Sequence, residues 1–287
     1  MRMAGNRATD VQDRRNELAR EWRVTIDHSF ETATSHIAYG RRDAQPVVLK
    51  IVKCPGDEWW SGQGLTAFDG RGVVRVYEHV GGALLLERLD PGDSLVELTL
   101  SGRDEEATAI LADVIGSMSP HRPLTACPAV QDWAGSFKRY VASGDDQVPM
   151  NLVSQAGRLY TDLCESQRNP RLLHGDLQHY NVLFDRHRGW LAIDPKGVVG
   201  EIEYEIGAAL RNPCERPDLF VDPAIIERRL GQFASKLNLD PARALAWSFA
   251  QAVLSAIWEV EDGSPVDARN PSILLAIAIR PMLERAV

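Results

Sequence analysis

The chain has only four cysteines among its 287 residues, and they form no C-x-x-C pair and no metal-like Cys/His cluster. Isolated cysteines in a chain of this size are typical of free thiols in a reducing compartment. The first 22 residues also contain no apolar segment of the kind that a secretion signal needs. These two absences favour a cytoplasmic protein over a disulfide-bonded secreted one.

Long hydrophobic runs and an excess of positive charge are missing as well. Although 44% of the residues are hydrophobic, no apolar run approaches the roughly 18–20 residues that cross a bilayer, so we expect no membrane association. Thirty-two basic residues stand against forty acidic ones, for a net charge of -8. Such a surface is a poor partner for nucleic acid and a better one for a cation. Nothing in the sequence indicates an obligate protein partner.

The first ninety residues are rich in strand signals. The clearest strand is VVLKIV at 47–52, and the segments at 73–80 and 83–89 are joined by Gly81-Gly82, which is typical of a hairpin. A short helix is indicated within 56–68. This region holds 13 basic and 13 acidic residues, so it contributes nothing to the net charge.

Helical periodicity dominates from residue 91 onward. Asp222-Pro223 and Asp240-Pro241 each read as an N-cap followed by proline at the first helical position. Two short strands interrupt the helices, within 182–184 and 190–193. We therefore predict an α+β protein of two lobes, with a small antiparallel sheet and one helix in residues 1–90 and a larger, mostly helical lobe in residues 91–287. The cleft between such lobes is the expected ligand site.

The segment 172–197, LLHGDLQHYNVLFDRHRGWLAIDPKG, carries the chemistry. Asp176 and Asn181 lie in a loop, and Asp194 ends the second of two strands, so a hairpin would bring Asn181 and Asp194 to one sheet end. Phosphoryl transfer needs this set, because one carboxylate receives or orients the proton of the attacking hydroxyl while an amide oxygen and a second carboxylate hold Mg²⁺ on the phosphates. The alternative is a surface loop whose Asp and Asn residues cap turns.

This segment resembles the catalytic loop of the protein-kinase-like superfamily in its aminoglycoside phosphotransferase form. H-G-D-x-x-x-x-N stands in place of H-R-D-x-x-x-x-N, and D-P-K-G in place of D-F-G. The stretch is most similar to the aminoglycoside 6-phosphotransferase family, which includes streptomycin 6-kinases and hydroxyurea phosphotransferases. The resemblance implies a bilobal kinase-like fold, with residues 1–90 as the nucleotide-binding lobe and residues 91–287 as the catalytic and substrate-binding lobe. It also implies ATP and Mg²⁺ as cofactors, Asp176 as the catalytic base, and Asn181 and Asp194 as the metal ligands.

Lys50, in VVLK, occupies the place of the kinase lysine that contacts the nucleotide phosphates. A lysine that faces inward from an apolar strand costs desolvation unless an anion meets it. Glu58 is a candidate partner for it. The alternatives are an edge-strand lysine that guards against aggregation and a helix-terminal charge at Glu58.

ALLLERL at 83–89 resembles the kinase hinge, which implies that the main-chain groups of Glu87, Arg88 and Leu89 lie near the adenine. The loop that covers the phosphates in protein kinases has the form G-x-G-x-x-G, which is absent here. The equivalent hairpin is expected at about 32–39, where Thr34 and Ser35 offer hydroxyls. His174 is expected to be structural and to bond the backbone around Asp194.

Two acidic stretches follow the catalytic segment. GEIEYEIG carries Glu201 and Glu205, which would share one face of a helix, and WEVED carries Glu259 and Glu261 at a helix end. We expect all four carboxylates to border a cationic acceptor, with solvated surface as the alternative.

The function predicted from these residues is ATP-dependent phosphorylation of a hydroxyl on a small, cationic, streptomycin-like aminocyclitol, which confers antibiotic resistance. Two alternatives stay open at this stage. One is a kinase of the same fold that acts on another metabolite or on hydroxyurea, because this fold accepts many acceptors. The other is a catalytically silent binding module, against which the intact set of Lys50, Asp176, Asn181 and Asp194 argues.

Overall fold

A computed structural model describes residues 3–56, 59, 61–118, 122–123 and 125–285, with side chains from residue 11 onward. Its helices are α1 Met3–Glu21, α2 Ser61–Phe68, α3 Val96–Leu100, α4 Asp104–Ser117, α5 Gly135–Ser143, α6 Met150–Glu165, α7 Gly207–Leu210, α8 Asp218–Val221, α9 Pro223–Leu237, α10 Pro241–Glu261 and α11 Pro271–Arg285. Its strands are β1 Val24–Glu31, β2 Ser35–Arg42, β3 Gln45–Val52, β4 Val76–Val80, β5 Ala83–Glu87, β6 Pro91–Ser94, β7 Arg171–Leu173, β8 Val182–Asp185, β9 Gly189–Ala192 and β10 Val198–Gly200.

The first five strands form one antiparallel sheet in the order β1-β2-β3-β5-β4. Because successive side chains of a strand point to opposite faces, β3 divides its residues between two environments. Leu49 and Ile51 pack with Leu18 of α1 and with Trp22, which directly follows α1, in an outer apolar cluster. The residue between them, Lys50, points to the opposite face, where the sheet meets the rest of the protein.

The rest of the fold is mostly helical and is organised around α10. This helix is buried along most of its length and packs against α6, α7 and α11. Asp240 caps it by accepting hydrogen bonds from the N–H groups of Ala242 and Arg243, and Asp222 caps α9 through Ala224 N–H. The predicted caps are thus confirmed, and they fix where two long helices begin.

Two small sheets hold the loops that matter for function. β8 and β9 form an antiparallel hairpin, which β6 joins from the side, and β7 pairs with β10. Pairing of β6 with β8 ties the chain just after the five-stranded sheet to the hairpin that follows the catalytic loop. Both sheets therefore brace the segment 171–200 between the N-terminal sheet and the helices.

The predicted α+β architecture, with an antiparallel sheet followed by mostly helical structure, is confirmed. Six elements went unpredicted: β6 in the expected linker, and the short β7, β10, α3, α7 and α8, whose three to five residues are too few to show a period. One buried cluster joins Leu84 and Leu86 of the sheet with residues beyond 91, and the boundary at residue 90 stays a prediction. In the described part of the chain, every helix is too short or too polar to cross a membrane.

Candidate active site

The hairpin of β8 and β9 brings the predicted metal ligands together. Val182 pairs with Ala192, and one step outward the N–H of Ile193 donates to the carbonyl of Asn181 at 2.9 Å. Asn181 and Asp194 therefore lie at the same end of the hairpin, as the sequence predicts. Asp194 adopts a left-handed conformation with φ of 55°, which Asp tolerates better than most side chains.

The amide of Asn181 is oriented by the catalytic loop itself. Its Nδ2 donates to the carbonyl oxygen of Asp176 at 2.9 Å. Because the nitrogen is used in this way, Oδ1 is the atom that faces away from the loop. One amide oxygen and the carboxylate of Asp194 are hard ligands of the type that Mg²⁺ prefers when nucleotide phosphates and water complete its shell. The residues present thus fit a magnesium ion.

His174 ties the catalytic loop to the start of the metal loop. Its Nε2 bonds the carbonyl of Ile193 at 2.7 Å, and its own carbonyl accepts from the N–H groups of Lys196 and Gly197. Complete burial lowers the pKa of His174, which keeps the ring neutral. The predicted structural role of this histidine is confirmed.

Glu205 supports the same loop from below and does not border an acceptor. Its carboxylate accepts from the N–H groups of His174 at 2.8 Å and Gly175 at 3.0 Å. Gly175 has a φ of 83°, and a Cβ there would meet Val198 at 2.7 Å, so only glycine fits. Burial raises the pKa of Glu205 to about 7. Its expected position at an open substrate cleft is wrong, because the carboxylate is 1% exposed.

Glu201 is likewise turned into the protein and fully buried. It pairs with Arg243, accepts from the indole N–H of Trp247, and accepts from the N–H of Arg168 at 2.9 Å. The sequence-based prediction of a shared helical face with Glu205 is also wrong. Residues 202–204 form a single 3₁₀ turn, which lacks the i, i+4 geometry.

Asp176 has a partner that the sequence did not reveal. Its Oδ1 lies 3.3 Å from Nη2 of Arg211, and Nη1 of Arg211 donates to Oε1 of Gln251 at 3.1 Å. The side chain of Asp176 is 31% exposed while that of Arg211 is 12% exposed. Arg211 lies just after α7 in a segment without a motif, so only the tertiary structure brings it to the loop.

Lys50 reaches across from the sheet to the metal loop. Its Nζ lies 2.9 Å from Oδ1 of Asp194, and its side chain is only 4% exposed. The anion that an inward-facing lysine requires is therefore supplied in part by Asp194. Glu58, the partner expected from the sequence, lies outside the described residues.

A cavity of about 480 Å³ lies between the sheet and the hairpin. Its walls include Lys50 and Asp194, Thr34 and Ser35 of the β1–β2 turn, and Glu87, Arg88, and Leu89 of the expected hinge. The Glu87 carboxylate is occupied by Arg188 and by the N–H of Arg75. Glu87 can therefore offer a ligand the polar groups of its backbone rather than its carboxylate.

A second cavity, of about 870 Å³, opens beside the first. Lys196, Trp133 and Trp258 line it, together with Glu261 and Asp262 at the end of α10. Glu261 thus borders an open cavity, as expected. Glu259 does not line either cavity, and its carboxylate accepts from Asn270 Nδ2 at 2.7 Å, so its expected place beside an acceptor is wrong.

Comparison with known proteins agrees with this geometry. The family model described as aminoglycoside/hydroxyurea antibiotic resistance kinase matches residues 21–263. The chain is 34% identical to streptomycin 3''-kinase of Klebsiella pneumoniae over 84% of this chain and 91% of that protein, and 29% identical to streptomycin 6-kinase of Streptomyces glaucescens over 92% and 87%.

Solved structures share the fold at low identity. A thermostable mutant of aminoglycoside phosphotransferase APH(4)-Ia, in ternary complex with ADP and hygromycin B, superposes with a TM-score of 0.64 at 18% identity, covering 93% of this chain and 97% of that one. The fold is thus protein-kinase-like, and the resemblance seen in the catalytic segment extends over most of the chain. On the strength of the family match and the 34% identity, the chain belongs to the aminoglycoside/hydroxyurea antibiotic resistance kinases.

Proposed function

We propose that this kinase transfers the γ-phosphate of ATP to a hydroxyl of streptomycin or a closely similar aminocyclitol, and thereby inactivates the antibiotic. The observation that carries the proposal is the junction of Lys50, Asp194, Asn181 and Asp176 at the border of the 480 Å³ cavity. The similarity to two streptomycin kinases supports the choice of acceptor. ATP as donor agrees with the cytoplasmic location that the sequence favours.

The nucleotide occupies the 480 Å³ cavity in this proposal. Backbone groups of residues 87–89 meet the base at one end, and Lys50 meets the phosphates at the other. Thr34 on the β1–β2 turn lines the same cavity, and its hydroxyl and N–H replace the missing glycine-rich loop. The neighbouring Ser35 N–H is already engaged, because it donates to Oγ1 of Thr32 at 2.9 Å. The ion pair between Lys50 and Asp194 keeps the lysine extended toward the phosphates.

Asn181, through Oδ1, and Asp194 would hold Mg²⁺. When bound, the ion neutralises charge on the nucleotide phosphates. This chain's contribution is the orientation of the ligands, because the Asn181 amide is held by the Asp176 carbonyl and the Asp194 backbone is held through His174.

Asp176 acts as the base. Its carboxylate is 31% exposed, which leaves it accessible to receive the proton of the attacking acceptor hydroxyl. Arg211 is a positioning residue, because its guanidinium is anchored on Gln251 and in turn fixes Oδ1 of Asp176. The second carboxylate oxygen remains for the hydroxyl.

The experiment that tests the function is a phosphoryl-transfer assay with ATP and Mg²⁺ over streptomycin, hydroxyurea and a neutral polyol, with the product mapped by phosphorus NMR. We expect streptomycin to be phosphorylated, and the NMR correlation to distinguish the 3''-hydroxyl from the 6-hydroxyl, since the relatives include kinases of both kinds. Turnover of hydroxyurea but not of streptomycin would overturn the choice of acceptor.

Two variants test the assigned residues. Asp176→Asn keeps the shape and removes the charge, so we expect kcat to fall by about 10²–10⁴-fold while nucleotide affinity stays the same. Asp194→Ala removes a proposed metal ligand, so we expect Mg²⁺-dependent ATP binding to weaken as well as turnover to disappear. A folded Asp194→Ala variant with unchanged Mg²⁺-dependent affinity, or an Asp176→Asn variant with more than about a tenth of wild-type kcat, would contradict these roles.

A further inference from the structure

We propose that Trp133 and Trp258 form the subsite that binds a cationic group of the acceptor, with Asp262 as its carboxylate partner. The two indoles meet edge to face with their centroids 5.2 Å apart and line the 870 Å³ cavity. The inference rests on the proposed function, because it assigns residues to the acceptor of that reaction. Neither indole belongs to a catalytic motif.

A cation already lies against this pair of rings. Nζ of Lys196 is 4.2 Å from the centroid of Trp258 and 5.6 Å from that of Trp133. Both distances lie within the range of about 6 Å at which an ammonium is attracted to an aromatic face. The geometry therefore shows that the pair presents its faces to a positive charge inside this cavity, and a substrate cation that binds to these faces would displace the Lys196 ammonium from them.

The rings are held rigidly in this arrangement. The indole N–H of Trp258 donates to Oγ of Ser136 at 3.2 Å, and Trp133 packs against the buried ring of Tyr204 at 6.0 Å. Fixed rings lose little conformational freedom when a ligand binds. A preformed subsite requires rings that are fixed in this way, whereas a tryptophan that merely lies on the surface does not.

Most of the other charged side chains in the cavity already have partners within the protein. Glu261 pairs with Arg139 at 3.0 Å, Lys53 pairs with Glu31 at 3.1 Å, and the carboxylate of Asp132 accepts from the N–H of Ala129. Asp262, at the exposed end of α10, has neither an ion pair nor a side-chain hydrogen bond among the described residues. It is therefore the carboxylate best placed to receive a guanidinium or an ammonium.

The position of the subsite suits the reaction. Helix α10 carries both Gln251, which anchors the Arg211–Asp176 pair, and Trp258 seven residues later. Seven residues are about two helical turns and span about 10 Å, so the anchor of the base and the indole lie on the same side of α10, about 10 Å apart along its axis. Lys196 is two residues from Asp194, which places the subsite beside the phosphate end of the nucleotide cavity.

This arrangement distinguishes guanidinium-bearing acceptors from neutral ones. A guanidinium is planar, always charged and weakly hydrated, so it stacks on indoles better than the ammonium of Lys196 does. Streptomycin carries two such groups, whereas hydroxyurea carries no charge at neutral pH. The subsite therefore contributes to binding of the first and not of the second.

The test is equilibrium binding of streptomycin by calorimetry, without nucleotide, to wild type, Trp258→Leu and Asp262→Asn. We expect the Kd to rise about 3- to 30-fold for Trp258→Leu and about 2- to 5-fold for Asp262→Asn, whose carboxylate is exposed. Trp190→Leu is the matched control, because Trp190 lines a different cavity, with Phe184, and its Kd should equal that of wild type. Asp262→Asn leaves the core intact and so keeps the test valid if Trp258→Leu unfolds.

Unchanged affinity in folded Trp258→Leu and Asp262→Asn variants, or a wild type that does not bind streptomycin, would overturn the subsite. Binding is measured apart from turnover, so the two proposals fail separately. Affinity that depends on Trp258 in a protein that phosphorylates no streptomycin would support the subsite and contradict the proposed function. Normal turnover of streptomycin, with a KM that neither substitution changes, would support the proposed function and contradict the subsite.

Discussion

Two acidic stretches follow the catalytic loop, and the structure uses them in opposite ways. The carboxylates of Glu201 and Glu205 are 0% and 1% exposed and are surrounded by donors from the protein. The side chain of Glu261 is 31% exposed and borders an open cavity beside Asp262. A run of acidic residues in the sequence therefore does not indicate whether their carboxylates contact the protein itself or a substrate.

The difference follows from what surrounds each stretch. A tight loop at residues 174–175, with glycine in a left-handed conformation, leaves two buried N–H groups that need an acceptor, and Glu205 supplies it. Glu201 forms an ion pair with the nearly buried guanidinium of Arg243. At the end of α10 the internal demand is weaker, because Glu261 pairs with an Arg139 side chain that is 62% exposed, and this end of the helix stays open to solvent and to ligands.

The largest effect is expected from Glu205→Ala. This change leaves the N–H groups of His174 and Gly175 buried without an acceptor and opens a cavity, so the free energy of unfolding should fall by roughly 3–5 kcal/mol. The loop that carries Asp176 loses its support, so kcat should fall at least about tenfold. Urea unfolding and steady-state kinetics measure the two effects.

Glu203→Ala is the matched control for this change. Glu203 is half-buried, and among the described residues its side chain makes one long hydrogen bond, which it accepts from the N–H of Asp240 at 3.4 Å. Its loss should cost less than about 1 kcal/mol. If both variants lose the same free energy of unfolding, Glu205 does not support the loop more than Glu203 does.

The pH dependence of stability tests the inward position of Glu205 without removing its bonds to the loop. Burial raises the folded-state pKa from 4.5 to about 7, so the protonated form is favoured in the folded protein. The stabilisation is fully present below pH 4.5 and is lost as the pH rises toward 7. At 1.36 kcal/mol for each pKa unit, the loss is about 3 kcal/mol.

The measurement compares wild type with Glu205→Gln between pH 4.5 and 8, since the variant cannot titrate at this position and all other groups cancel. As the pH rises to about 7, the free energy of unfolding of wild type should fall relative to that of Glu205→Gln. Above that pH the difference between the two proteins should stay level. A difference that is constant with pH would mean that Glu205 is charged throughout and is not desolvated as the structure indicates.

A smaller effect is expected from Glu201→Gln. Arg243 keeps its hydrogen bonds to the Leu163 carbonyl at 3.0 Å and to Ser166 Oγ at 3.2 Å, so the change removes the charge but not every partner. The free energy of unfolding should fall by about 1–3 kcal/mol, and the acceptor KM should not change. A raised acceptor KM with unaltered stability would instead indicate that Glu201 contacts the acceptor.

The same contrast shows what sequence can predict here. The placement of Asp176, Asn181 and Asp194 could be predicted because their spacing fixes their relation within one loop and one hairpin, and the placement of Lys50 because strand alternation fixes its face. Arg211 and Gln251 were missed because they reach Asp176 only through packing of α7 on α10. The direction of Glu201 depends likewise on Arg243, which is 42 residues away in sequence, so no local pattern records it.

The smallest effect separates the two glutamates at the end of α10. Glu261→Gln removes a carboxylate that lines the cavity, but Arg139 already compensates for that carboxylate, so the acceptor KM should rise only about 1.5- to 5-fold. Glu259→Gln should leave the KM unchanged, because Glu259 faces Asn270, the residue whose Oδ1 accepts from the N–H of Ser272 at the start of α11.

The KM difference between the two variants should shrink as salt rises, since the Debye length is about 10 Å at 0.1 M. Acceptor KM measured against ionic strength for wild type and both variants decides the matter. If all three respond alike and weakly to salt, the end of α10 does not sense the charge of the acceptor, and a neutral hydroxyl compound would fit this kinase better than streptomycin does.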